Sequence, residues 1–338
     1  MSRRRILFVG LGVGLAALAV IGWAAFVRGS SAPPVVTAKF DVASDRMQKT
    51  DLIQKLKVPP DVIILGGSRA LRFDPAYLQQ RTGLTGFNAA VTGARPEDAW
   101  ALVSLFHARF PAARFRFLWI IHANEFDPKA LDPGLVYDAT LASFFPRSLI
   151  TPKLEYEAAH LKIDPMQLGR HFAPDGMVHS DAFDRMFPHP GSDATAVRNN
   201  IASALHTYAT LPPRLSPRSA LYFQKTLALM DSIAAAPPVV VSAPMDARIL
   251  AAIASRGWAL RQAQLLRYLA PLQARYKFDF VDLSKAAACG CTAVDFFDGI
   301  HLRPSGTAKV VDAARRRFPA AFRSAVRSES PSPVATGA

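Results

Sequence analysis

The chain has 338 residues, half of them hydrophobic, with 40 Lys and Arg against 26 Asp and Glu and a formal net charge of +14. That hydrophobic share excludes a disordered chain, and removing the two ends leaves roughly 270–290 residues, large for one domain but within reach of a single α/β fold. The charge suits an anionic partner. With no nucleic-acid module and no interleaving of basic and aromatic residues, nucleic acid is excluded, and most of the basicity reads as arginine usage with a basic tail at each end.

In chain order, Met1-Ser2-Arg3-Arg4-Arg5 precedes an uncharged apolar run from Ile6 to Val27. About 22 residues at ~1.5 Å each reach ~33 Å, enough to cross a bilayer's hydrocarbon core. Trp23 and Phe26 fall at the far interface, and three arginines before the run against Arg28 after it predict a cytoplasmic N-terminus. A cleaved signal peptide is the competing reading, with Ser30-Ser31-Ala32 imitating a cleavage site; Pro33-Pro34 and the length of the run favour a retained anchor. The expectation is a single-pass anchor over 1–28 in the inner (cytoplasmic) membrane, a linker over 29–46, and a periplasmic body over 47–323.

Within that body a short amphipathic helix is expected over 47–57, then an alternation. Buried strands are predicted at 61–66 (DVIILG), 84–91 (LTGFNAAV), 115–122 (FRFLWIIH), 238–243 (PVVVSA) and 278–283 (FDFVDL), each short, apolar and bounded by turn signals. Helices are predicted at 96–109, 219–235, 246–275 (two, broken near Gly257) and 304–317. Alternating βα units give an α/β class with an open parallel sheet covered on both faces. The stretch 128–217 breaks the rhythm. It is rich in Pro, His, Phe and Asp and reads as an insertion after the third strand, with short helices near 153–161 and 194–209; such insertions shape substrate pockets. The Ser/Pro/Ala-rich tail over 324–338 reads as disordered. The two cysteines, in Cys289-Gly290-Cys291, are either a tight-turn disulfide or two small loop residues, and zinc is disfavoured because no second ligand pair follows at metal spacing.

Four segments carry the chemistry. Ser68 directly follows the first strand behind Gly66-Gly67, so its hydroxyl is presented at the sheet edge. It resembles a nucleophile elbow, but Ala70 stands where that motif has glycine. Asp298-Gly299-Ile300-His301 follows the last strand just before a helix; His301 is the candidate base and Asp298 the carboxylate that orients it. Gly93 and Asn124, after the second and third strands, offer a backbone N–H and a side-chain amide which, with the N–H of Ser68, supply three donors for a tetrahedral oxyanion.

Together these segments resemble the four blocks of the SGNH (GDSL-type) hydrolase superfamily, in its order: ILGGS, FNAAVTG, HANEFDP and DGIHLRPSG. The resemblance covers about 60–130 and 238–318. It implies a flavodoxin-like five-stranded sheet of order 2-1-3-4-5, Ser68 as nucleophile, Asp298 and His301 completing a triad, and Ser68, Gly93 and Asn124 as the oxyanion hole. Two departures stand in the first block: Gly67 replaces the usual aspartate and Arg69 the usual leucine. First blocks of this kind look like those of the membrane-anchored branch, which includes polysaccharide O-acetyltransferase-like and D-alanyl transfer proteins.

The remaining candidates are weaker. Arg69, Arg72 and Arg95 lie near the site and either bind an anionic substrate group or are solvated. His122 reads as a strand-end core residue, and His179, Asp181 and His189 as surface loop. Glu125 and Asp127 share one loop and lack the opposed partners of a glycosidase pair. The function expected is a serine esterase or O-acyltransferase that needs no cofactor and acts on envelope or secreted carbohydrate, its partners being an acylated carbohydrate or acyl donor, the membrane through the N-terminal helix, and envelope-assembly proteins. The alternative is a non-catalytic scaffold or glycan-binding component. An α/β-hydrolase shares the Ser–Asp–His order but needs several strands before its nucleophile.

Overall fold

The structure, a computed structural model, describes residues 44–161, 170–180, 193–210 and 214–323. The expected anchor and tail, and Asp181 and His189, lie outside these residues. Among the described residues no helix is long and apolar enough to cross a membrane.

The elements, in chain order, are α1 Asp45–Lys55, β1 Val62–Gly66, α2 Pro75–Thr82, β2 Gly86–Asn88, α3 Pro96–Arg109, β3 Arg116–Ile121, α4 Pro133–Tyr137, α5 Ala139–Ala142, α6 Pro152–Ala159, β4 Arg170–Phe172, β5 Val178–Ser180, α7 Ala194–Thr210, α8 Pro217–Ile233, β6 Val239–Ser242, α9 Ala247–Ile253, α10 Trp258–Tyr276, β7 Asp279–Asp282 and α11 Pro304–Arg317. Five strands form one sheet in the order β2-β1-β3-β6-β7, every neighbouring pair parallel. Counted among sheet strands alone this is 2-1-3-4-5. The chain-order labels differ because the unforeseen antiparallel hairpin β4–β5 intervenes between the third and fourth sheet strands and lies outside the sheet.

The strands are apolar on both faces because both are covered. On β1 and β3, Ile63, Leu65, Phe117, Trp119 and Ile121 join one buried cluster, while Val62, Ile64, Leu118 and Ile120 join the other. Burying one such side chain is worth about 1.5–3 kcal/mol, so the central strands anchor the domain. β2 and β7 are the two edges, and the residues of β7 are half-buried or exposed.

Two expected boundaries move for local reasons. The second strand, predicted over 84–91, spans only Gly86–Asn88, because the Asn88 side chain accepts from Ala90 N–H at 2.9 Å and turns the backbone. The Asn88 amide also donates to the carbonyls of Ala70, Leu71 and Phe73, tying the β2 end to the segment after β1. α1 begins at Asp45 rather than 47, since Ser44 caps it through the Met47 N–H. The helix α2 has no counterpart among the predicted elements, although Asp74 caps it, Pro75 opens it and Gly83 closes it at φ 73°. The break near Gly257 is present, with φ 107° there, between α9 and α10.

The chain leaves β1 for β2 on one side and returns to β3 on the other. Strand order therefore reverses at β1, and the C-terminal ends of β1 and β3 border a crevice. Ser68 and Asn124 follow those two strand ends.

Candidate active site

Gly66 ends β1 at φ 145°, and a Cβ there would stand 2.5 Å from the Ile120 carbonyl oxygen on the neighbouring strand, so only glycine fits. After Gly67 the chain turns into a single 3-10 turn, Ser68–Ala70, closed by Ala70 N–H donating to Gly67 O at 2.8 Å. That turn lifts the half-buried Ser68 side chain off the strand end.

Asp298 and His301 reach the same place from a loop. One Asp298 oxygen accepts from the backbone N–H groups of Ile300 (2.9 Å) and His301 (2.8 Å); the other accepts from His301 Nδ1 at 2.7 Å. With Nδ1–H held there, Nε2 is the acceptor and stands 3.0 Å from Ser68 Oγ. Burial alone would raise the Asp298 carboxyl pKa. The hydrogen bond and charge of His301 and the two backbone donors outweigh burial and hold it well below the usual carboxylate range.

The loop is fixed from several directions. Asp295 binds Thr292 N–H (2.8 Å), Ser305 Oγ (2.8 Å) and Lys309 Nζ (2.7 Å). Phe297 N–H donates to His301 O at 2.9 Å, and Arg303 N–H to Asp295 O at 2.8 Å. Gly299, at φ 84°, packs so tightly that a Cβ would meet Ile249 Cδ1 at 2.8 Å. Asn200 of α7 donates to the Asp298 carbonyl at 3.0 Å, so the insertion braces the acid directly.

The segments that carry the proposed oxyanion donors approach one another beside Ser68. A Cβ on Gly67 would come within 3.3 Å of Glu125 Oε1 and 3.7 Å of Ala94 N, which brings the neighbours of Ser68, Asn124 and Gly93 together. Gly93 is the left-handed residue, φ 65°, of the turn closed by Ala94 N–H to Val91 O at 3.2 Å, and it is exposed. Among the described residues, neither Ser68 N–H nor Gly93 N–H finds an acceptor. The Asn124 amide hydrogen-bonds the phenol of Tyr208, from α7, whose pKa burial raises.

Beneath the serine lies a buried polar group that sequence reasoning underrated. Arg69, read as anion-binding or solvated, is only 8% exposed, so the solvated reading fails; its Nη1 has no hydrogen-bond partner. Its charge faces Tyr208, Glu125 and Asp298. Burial pushes the Glu125 carboxyl well above its usual range, against the pull of Arg69, and Gly67 N–H donates to that carboxylate. His122 stands 3.5 Å from Glu125, and burial together with Arg69 and His301 holds its imidazole well below the usual range, hence neutral. Arg95 is half-buried, with Nη1 donating to Ala130 O at 2.6 Å. Arg72 lies over the Phe297 ring at 4.9 Å. His179 stacks on His171 across the hairpin, and Cys289 and Cys291 are paired in a disulfide around Gly290. No group of three metal-ligating side chains occurs among the described residues. Tyr208 and Asn200 carried no signal in sequence because their segment has no fixed spacing from the motifs.

The fold and the site thus define an α/β protein with a Ser–His–Asp hydrogen-bonded chain at the C-terminal edge of a parallel sheet. No family model and no curated protein matches the chain. Solved structures similar to it include Est24, a carbohydrate acetylesterase from Sinorhizobium meliloti (11% identity, 77% of this chain and 99% of that one, TM-score 0.36). Another is an extracellular lipase from Streptomyces rimosus (16% identity, 76% and 98% covered, TM-score 0.35). Identities and superpositions at this level transfer neither substrate nor activity, so the chemistry rests on the residues.

Proposed function

We propose that this protein is a serine-dependent ester hydrolase or O-acyltransferase that works through an acyl-enzyme. The observation that carries the reading is the chain Asp298–His301–Ser68, with contacts of 2.7 and 3.0 Å and the imidazole tautomer set by the carboxylate.

In the first half-reaction Ser68 Oγ attacks the carbonyl carbon of an ester while His301 Nε2 takes the hydroxyl proton. The tetrahedral oxyanion lies against Ser68 N–H, Gly93 N–H and the Asn124 amide. The C–O bond to the leaving alcohol breaks, and His301 returns the proton to that oxygen. In the second half, water or a sugar hydroxyl gives its proton to His301 and attacks the acyl carbon; the bond from that carbon to Ser68 Oγ breaks, His301 returns the proton to Oγ, and a free acid or a new ester leaves. Asp298, held ionised, stabilises the imidazolium that forms in each half.

The apolar run Ile6–Val27 and the charge asymmetry around it support a protein tethered to the inner membrane with this site in the periplasm. That placement, together with the resemblance of the first block to the membrane-anchored branch, favours an acylated carbohydrate of the envelope or of secreted polysaccharide as substrate. The test is turnover of 4-nitrophenyl acetate and of an acetylated polysaccharide by wild type and Ser68→Ala. The reading expects activity in the first and loss of at least ~1,000-fold in the second, with the unfolding midpoint kept. Equal turnover by the two would remove it.

A further inference from the structure

The donor assigned to Gly93 is a backbone N–H on an exposed turn, and such a group is only as well placed as its peptide plane. That plane joins Thr92 to Gly93. Its orientation is set by the Thr92 ψ and the Gly93 φ, so anything that immobilises Thr92 aims the N–H.

Thr92 is held by residues outside all four motif segments. Its backbone N–H and its hydroxyl both donate to Asp45 Oδ2, at 3.0 and 2.5 Å. Arg170 Nη1 donates to the same hydroxyl oxygen at 2.7 Å and to both Asp45 oxygens at 2.9 and 3.2 Å. The Asp45 and Arg170 side chains are 3% and 12% exposed, so the pair is screened little by solvent and its geometry is tightly held. Asp45 opens α1, and Arg170 opens the hairpin strand β4. The same two elements also grip the other end of this segment. Lys49, one turn along α1, donates to the carbonyls of Asn88 and Gly176, and Asn88 N–H donates to Asp175 O of the hairpin at 2.8 Å. The stretch from Asn88 to Thr92 is therefore clamped at both ends while Gly93 itself stays open.

We infer that Asp45 and Arg170 are positioning residues for the oxyanion site, acting through Thr92 to aim the Gly93 N–H. This inference rests on the acyl-enzyme reading above. Removing an oxyanion donor outright typically costs ~100- to 1,000-fold in rate, so misaiming one is expected to cost about 10- to 100-fold. The loss falls on kcat, because the donor is used in the tetrahedral state and not in ground-state binding.

The experiment uses the full-length chain with 4-nitrophenyl acetate, and in parallel the rate at which a fluorophosphonate labels Ser68, which needs no natural substrate. Thr92→Val keeps the side-chain shape and loses the hydroxyl. Asp45→Asn keeps the shape and loses the charge. Both should lower kcat and the labelling rate about 10- to 100-fold, with KM within twofold of wild type. The double variant should be little worse than either single one, since the two act as a unit. Thr92→Ser, which keeps the hydroxyl, should recover most of the loss. A merely structural role would lower the unfolding midpoint without this split between kcat and KM and without recovery by serine. If Thr92→Val and Asp45→Asn label and turn over within twofold of wild type, the inference is overturned while the acyl-enzyme reading stands. If wild type itself takes no label at Ser68, the underlying reading fails and this inference falls with it.

Discussion

The two halves of the site are held by different means. Ser68 and Asn124 directly follow the central strands β1 and β3, whose side chains are buried on both faces, so their placement is a property of the whole sheet, and Gly93 follows the short edge strand β2 on a turn of its own. Asp298 and His301 sit well beyond the exposed edge strand β7, on a loop kept in place by individual side-chain and backbone hydrogen bonds. Changes to the backbone of the strand ends that carry the first half should therefore cost mainly stability, and changes to the loop that carries the second mainly activity.

The largest expected effect lies on the loop. Asp298→Asn retains the size of the acid but presents an amide to Nδ1, favouring the wrong imidazole tautomer, and in a triad of this kind such a change costs about 10,000-fold in kcat. Steady-state kinetics beside an unchanged thermal midpoint checks this; a large fall in midpoint would dissolve the contrast. Next comes the strand end. Gly66→Ala places a methyl 2.5 Å from the Ile120 carbonyl oxygen at φ 145°, and a loss of about 3 kcal/mol or more in unfolding free energy is expected. Denaturant titration, or the lack of soluble protein, reads it out.

Asp295→Ala removes the acceptor for Thr292, Ser305 and Lys309 and should cost about 2 kcal/mol of stability. It tests how far the loop half depends on a single side chain, by midpoint and kcat measured together. The strand-end half is tested separately by pH. Burial pushes the Lys49 amine down to about 7, whereas the unfolded amine keeps its proton to about pH 10.4. Between those values the unfolded chain binds more protons, so stability rises with pH across that window, and Lys49→Met should flatten the rise. Denaturant midpoints at pH 7 and 9.5 for both proteins check the sign. Smallest of all, Asn200→Ala withdraws one donor from the Asp298 carbonyl and should lower kcat by less than tenfold; a larger loss would mean the insertion does more than brace the acid.

What was legible in the sequence follows the same division. The apolar runs around Ile63, Trp119 and Val240 announce buried parallel strands, because only a sheet covered on both faces tolerates them, and the helices 96–109 and 304–317 show their proline starts. Ser68, Asp298 and His301 stand out because their spacing from strand ends is local. The rest depends on contacts between distant segments. Nothing near Thr92 announces that Asp45 and Arg170 will meet there, 47 and 78 residues away. Whether Arg69 binds an anion or is solvated could not be read locally, because its burial and its charged neighbours Tyr208, Glu125 and Asp298 come from distant segments. The end of β2 is not legible because an asparagine bonding its own backbone two residues on leaves the apolar pattern of Ala89-Ala90-Val91 unchanged.

Covalent capture asks directly whether Ser68 is an activated nucleophile. Incubating the full-length protein with a fluorophosphonate, followed by peptide mass spectrometry, should place a single adduct on Ser68, absent in Ser68→Ala and strongly slowed in His301→Ala. An unmodified Ser68 peptide, or labelling that persists at the same rate without His301, would contradict it.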